Sequence, residues 1–268
     1  MSYGLRTVLL LGLLTAIFLV IGFIFGGILG MTIGLILAFI VNFVSYWYSD
    51  KFVLALYRAK ELENKKIDSM IEKLAKKAGI PKPKTYIVDM EVPNAFATGR
   101  NPKHAAVAVT SGLLDHLNEN EIEGVLAHEI AHIKNRDTLI QTLAATIAGA
   151  ISWIAYIFYY GDERNRNAIT FILLFILAPI AAMLIKLAIS RNREYVADKT
   201  GAMLSDPLGL ANALEKISLY VISKPIHGNA ATSHLFIVNP FTAGSLINLF
   251  STHPPIEERI RRLKEMKK

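Results

Sequence analysis

Five consecutive residues, His128-Glu129-Ile130-Ala131-His132, carry the clearest chemistry in this 268-residue chain. On a helix, positions i and i+4 share one face, so both imidazoles can reach one metal ion. Glu129 stands beside that face, where its carboxylate can take a proton from a metal-bound water. Zinc lowers the pKa of such a water to about 7, which makes hydroxide available at neutral pH. The bland alternative is a pair of histidines on an amphipathic helix with no metal. The strong helical character of Gly124 to Ile133 favours the metal reading. The chain has no cysteine, so a metal site must draw on His, Asp or Glu, and a thiolate nucleophile is excluded.

A catalytic zinc takes three protein ligands and keeps a fourth position open. His104, His116, His227, His234 and His253 are candidates for the third, though each could equally be a surface or capping residue. Glu194, within Arg191-Asn192-Arg193-Glu194-Tyr195-Val196-Ala197-Asp198, is the better candidate. Glu194 and Asp198 are four apart and share a helix face. Glu194 can complete a His2Glu set while Asp198 accepts a hydrogen bond from a ligand histidine. Away from the histidines the two acids would be an ordinary exposed pair.

The surrounding elements bring these half-sites together. Thr7 to Gly26 and Gly27 to Tyr48 are apolar runs, each long enough to cross a hydrocarbon core of about 30 Å, with a glycine-rich turn between them. A cleaved signal peptide is the alternative for the first; the second run directly behind it argues against that. Tyr46, Trp47 and Tyr48 form an aromatic belt at the exit. Further runs, Thr138 to Tyr160 and Ala168 to Ile189, leave the active-site segment just after His132 and return just before Glu194. That hairpin puts both half-sites at one membrane face. Lys51, Arg58, Lys60, Lys65 and Lys66 follow the second run, and Arg259, Arg261, Arg262, Lys264, Lys267 and Lys268 crowd the C-terminus. The positive-inside rule then places both ends and the catalytic domain in the cytoplasm, in a multi-pass protein of the cell membrane.

Composition agrees. Hydrophobic residues make up 53% of the chain, mean hydropathy is +0.38 and net charge is +7. The basic residues flank apolar runs, which points to a lipid bilayer and not to nucleic acid. None of the runs carries the paired charges a transporter needs at midplane. The non-membrane part reads as α+β. Asp50 to Lys77 is a charged helical segment with Ile67, Ile71, Leu74 and Ala78 at helical spacing. Thr85 to Val88 and Ala105 to Thr110 are strands, a helix begins near Asn120, and Asp206 to Lys268 holds a helix, a loop and a final basic amphipathic helix. The expected plan is a membrane hairpin at 5–48, a first catalytic part at 49–137, a second hairpin at 138–190 and a second catalytic part at 191–268. Lys224 to Phe250 either gates the cleft or only connects.

H-E-x-x-H followed by E-x-x-x-D is the pattern of the gluzincin metallopeptidases. Asn94-Ala95-Phe96-Ala97-Thr98-Gly99, Ala127 to His132, Glu194 to Asp198, and Ser251-Thr252-His253-Pro254-Pro255 with Arg259 resemble one membrane branch, the HtpX-type metalloproteases. These are related more distantly to the CAAX prenyl endopeptidases. The resemblance implies one zinc ion per chain on His128, His132 and Glu194, with Glu129 as base and later acid. It implies that Asn94, Ala95 and Phe96 lie along a bound peptide that adds to a sheet edge. His253 and Arg259 match positions near the active site, where they could stabilise an oxyanion. The implied architecture is four transmembrane helices carrying a cytoplasmic zincin-like domain. The implied task is hydrolysis of misfolded or damaged membrane proteins, with membrane-protein or peptide substrates as partners and homo-oligomerisation left open. Two rivals stand beside it: a processing enzyme of the prenyl-endopeptidase kind, and an inactive adaptor stapled by zinc. Glu129 argues against the adaptor, because a structural zinc needs no base.

Overall fold

The computed structural model describes residues 3–143, 191–224, 235–238 and 254–267. Most of the third apolar run, all of the fourth, and His227, His234 and His253 lie outside the described residues.

Helix α1, Tyr3–Leu56, is broken at Gly26 and at Gly27, whose φ of 56° belongs to the left-handed region that glycine tolerates. Its two arms fold back on each other. A Cβ placed on Gly30 would sit 2.1 Å from the Gly22 carbonyl oxygen, so the backbones meet with no side chain between them. Further along, Asn42 Nδ2 donates to Thr15 Oγ1 at 2.9 Å and to the Leu11 carbonyl at 3.3 Å. Residue 30 faces 22 and residue 42 faces 11 to 15, which defines an antiparallel hairpin. The outer surface is apolar: Ile24, Ile28 and Phe39 are 67–75% exposed. The stretch Thr7–Tyr48 has the length and composition to cross a membrane. The second arm does not stop at Tyr48 but runs on to Leu56.

The charged segment expected at 50–77 as one helical stretch is divided. Arg58 takes a φ of 49°, strand β1 follows at Lys60–Glu61, and only then does α2 begin, Lys65–Ala78. Asn64 caps α2 by accepting from the Lys66 and Ile67 N–H groups, and left-handed Gly79 ends it. Strands β2 (Lys84–Val88), β3 (Ala95–Gly99) and β4 (Ala105–Thr110) complete a sheet of order β1-β2-β4-β3. β2 runs parallel to β4, and β3 runs antiparallel to it on the edge. Short α3, Ser111–His116, leads into α4, Glu119–Lys134, which opens on a reciprocal capping box between Asn118 and Glu121.

Helix α4 is the centre of the domain. It packs on β3, on α2, and on α5 (Arg191–Leu204) and α6 (Pro207–Ser223); the last helix, α7 (Ile256–Glu265), lies on α5 and α6. Every residue from Gly124 to Ile133 is buried. Strand β3 faces two ways: Ala95 and Ala97 join the core beside α4, while Phe96 packs with Val53 and Leu54 of α1.

Gly30→Val should force the two arms apart and lower stability by about 1–3 kcal/mol through overpacking. Thermal unfolding in detergent would read this as a lower Tm, and an unchanged Tm would mean the arms are not held in this contact.

Candidate metal centre

His128 and His132 project from adjacent turns of α4, and Glu194 comes from the first turn of α5. The two Nε2 atoms are 3.1 Å apart. Glu194 Oε2 lies 3.7 Å from His128 Nε2, and its Oε1 lies 3.5 Å from His132 Nε2. All three residues are buried, with one ligand atom of each within 4.8 Å of the others. Two nitrogens bound tetrahedrally to zinc stand roughly 3.4 Å apart. The donor set and its spacing therefore fit one such cation.

The far side of each imidazole meets a carboxylate. His128 Nδ1 lies 3.0 Å from Asp198 Oδ1, and His132 Nδ1 lies 3.1 Å from Asp137 Oδ2. Such partners orient a ligand ring and set its tautomer. Asp198 was expected in this role from the sequence; Asp137 was not. It reaches His132 because the chain turns back after α4, where Arg136 takes a φ of 59° and the Asp137 N–H donates to the His132 carbonyl at 2.9 Å. Arg193 pairs with Asp137 and donates through Nη2 to the Asn135 carbonyl at 2.8 Å.

Arg259, from α7, has no solvent exposure. Its Nε donates to Asp198 Oδ2 at 2.8 Å and its Nη2 to Oδ1 at 2.7 Å, a two-pronged contact. Nη1 lies 3.6 Å from Glu194 Oε2 and donates to the Ile237 carbonyl at 3.4 Å. Burial opposes the charge of Asp198, but Arg259 outweighs it and holds the carboxyl down at about 2. Burial also lowers the pKa of His128. For His132 burial is again the largest influence and opposes its charge. The hydrogen bond to Asp137 and the charges of Glu194 and Glu129 together prevail and raise it to about 9. Burial raises Glu129 to about 7, despite nearby His132 and a hydrogen bond from the Ala97 backbone. A carboxyl poised there can accept and return a proton at neutral pH.

Ala95, Phe96 and Ala97 of β3 and Leu235, Phe236 and Ile237 line the cleft with these ligands; Arg259 does not. Asn94 stands just before β3, tied to β4 through Thr110. Its carboxamide takes two main-chain contacts from one segment: Nδ2 donates to the Leu235 carbonyl at 3.1 Å, and Oδ1 accepts from the Ile237 N–H at 3.0 Å. The free space beside the ligands is about 20 Å³, room for an ion or a water. Two rival ligand candidates stand elsewhere. Exposed His104 pairs with Asn101, and His116 bonds to the Gly112 carbonyl and sets its ring against Tyr220.

A histidine pair on one buried helix, a glutamate on a second and an acid beside the pair define a metallopeptidase of the gluzincin kind. The chain belongs to peptidase family M48, whose model matches residues 61–267. It is 52% identical to a protease HtpX homolog of Persephonella marina across 98% of its own length and 97% of that protein. It is 56% identical to one of Thermococcus sibiricus, over 83% of this chain and 82% of the other. Among solved structures, the crystal structure of S. mikatae Ste24p is similar, with a TM-score of 0.56 at 20% identity over 94% of this chain. The chain spans 62% of that structure's length, and at this identity the likeness concerns the fold. The protein is thus a metalloprotease, as its motif strings indicated.

Asp137→Asn should weaken metal binding by about 10–100-fold with the fold intact, measured by competition with a chelating dye. A cation at His132 Nε2 must displace the proton that its neighbours hold until about pH 9. Affinity should therefore rise from pH 6 to pH 8, by up to about tenfold per unit for one proton released. A flat profile would show that His132 gives up no proton on binding.

Proposed function

We propose that this chain is a zinc-dependent endopeptidase of the cell membrane that cuts misfolded or damaged membrane proteins at the cytoplasmic face. The observation that carries the reading is the convergence of His128, His132 and Glu194 in one buried cleft with Glu129 beside them. The basic residues after the apolar hairpin and in α7 support the cytoplasmic placement. The similarity to protease HtpX homologs supports the protease activity, and the quality-control role follows from the resemblance of the motif strings.

When bound, zinc supplies a Lewis acid for the scissile carbonyl and a lowered pKa for its water. Every other task falls to side chains. Glu129 takes the proton of the attacking water and hands it to the leaving amine. Asp137 and Asp198 hold the two imidazoles, and Arg259 fixes Asp198. Asn94 holds substrate main chain, since its carboxamide already holds the C=O and N–H of Leu235 and Ile237 in this manner. The space beside the ligands, about 20 Å³, is far smaller than a peptide and is lined by Leu235, Phe236 and Ile237, which favours gating over mere connection for this loop. His253, whose motif position suggests a place near the oxyanion, belongs to the same proposal.

Glu129→Gln should keep about one zinc per chain and lower casein hydrolysis by about 10²–10⁴-fold in detergent-purified protein. Zinc in both forms with cleavage in neither would favour the adaptor or a narrow processing enzyme, and zinc in neither would end the metal reading. Asn94→Ala should retain zinc and lower kcat/KM by about tenfold, the cost of losing two main-chain hydrogen bonds of ordinary strength.

A further inference from the structure

A second cavity, of about 770 Å³, opens on the other side of the domain between the end of α1 and the sheet. We propose that it binds the headgroup of an anionic phospholipid from the leaflet that the second arm of α1 leaves. The proposal rests on the membrane placement of the hairpin and goes beyond the protease reading, since the cavity shares no residue with the catalytic cleft.

Charge is the first observation. Lys51, Lys82, Lys84, Arg100 and Lys103 line the cavity against a single acid, Asp50. Lys82 is committed to Asp68 and Glu72. The other four cations have no carboxylate partner among the described residues, so the cavity gathers more positive charge than Asp50 alone offsets. An anionic ligand is what such a field attracts.

The second observation is how the cations are held. The Arg100 guanidinium stacks over the Trp47 ring at 4.4 Å, and its Nη1 donates to the Trp47 carbonyl at 3.2 Å. Lys51 Nζ lies 5.2 Å from the centre of the Tyr48 ring. Stacking fixes the guanidinium plane and leaves further N–H groups of its fork available to phosphate oxygens.

The third is the position. Trp47 and Tyr48 end the apolar arm, and exposed Phe39 and Phe43 precede them on the same helix. Aromatic side chains of this kind sit where acyl chains meet headgroups. The lining combines apolar Phe43, Trp47 and Leu54 of α1 with cations held beside them, Arg100 over Trp47 and Lys51 near Tyr48. That combination suits a molecule with a charged head and a hydrocarbon body. A soluble anion or a nucleic acid has no use for the apolar residues.

The test uses the full chain in detergent micelles, with Trp153→Phe leaving Trp47 as the sole tryptophan. Quenching of Trp47 is titrated with phosphatidylglycerol or phosphatidylcholine carrying brominated chains. The expected result is half-saturation at about tenfold less phosphatidylglycerol, and loss of that preference in the Arg100→Gln, Lys103→Gln double variant. Residual quenching by both lipids in the variant would show the hairpin still in the apolar phase. Equal affinity for the two lipids in the parent chain, or a preference that survives in the double variant, would overturn the site. So would binding of inorganic phosphate or an oligonucleotide as tightly as the lipid. No quenching by either lipid would overturn the membrane placement itself, while zinc content and casein hydrolysis would still report separately on the protease.

Discussion

A guanidinium sealed from water keeps its charge only if acids surround it, and Arg259 is sealed completely. Its fork grips Asp198, Asp198 faces His128, and His128 turns its other nitrogen to the metal centre. Removing one member of such a buried pair typically costs about 3–5 kcal/mol, a large part of a domain's total stability. The last helix of the chain is therefore locked to the catalytic helix through charge, although the two are more than a hundred residues apart in sequence. Helix α5 is the common support. Arg193 clamps Asp137 behind His132, Glu194 faces both imidazoles, and Asp198 stands behind His128. One element thus supplies the carboxylate that faces both imidazoles, the brace of His128 and the clamp on the brace of His132, so any shift of α5 on α4 would disturb the whole centre at once.

Much of this was legible because it is local. The i, i+4 spacing of His128 with His132, and of Glu194 with Asp198, reads directly as a shared helix face. The apolar stripe of α2 and the helix start near Asn120 obey the same short-range rules. What stayed hidden depends on backbone turns or distant contacts. Asp137 follows His132 at a spacing that is not helical, and only the turn through Arg136 brings it underneath the ring. The division of 50–77 turns on Arg58, whose positive φ leaves no mark in residue type. Helix α4 is buried on every side from Gly124 on, so the motif announced it more clearly than any amphipathic rhythm could. The contact between Asn94 and residues 235–238 joins segments separated by 141 residues and more, and nothing short-range encodes it.

Arg259 shows how a motif and a structure can point to different uses of one residue. Its motif position suggested a donor to a developing oxyanion. In the folded chain Nε and Nη2 donate to Asp198 and Nη1 to the Ile237 carbonyl near Glu194, Nη2 also lies 3.5 Å from His128 Nε2, and the guanidinium does not line the cleft. A donor aimed at substrate must keep its hydrogen free in the cavity. The contacts it makes, to Asp198 and the Ile237 carbonyl and beside Glu194, are those of a brace.

Strand β3 joins the catalytic centre to the membrane end of the molecule. Alternation along the strand sends Ala95 and Ala97 toward α4 and Phe96 toward the end of α1, so one five-residue strand touches both. The covering segment is tied to the same junction. Tyr57, just after α1, has its ring centre 5.3 Å from that of Phe96 and 6.4 Å from that of Phe236. Moving the segment aside would expose Phe236, now 3% exposed, at a cost of roughly 2–3 kcal/mol, and would break both hydrogen bonds to Asn94. A peptide entering the cleft offsets that cost only if it offers main chain to Asn94 and apolar surface where Phe236 lay. An extended, apolar stretch of chain meets both conditions.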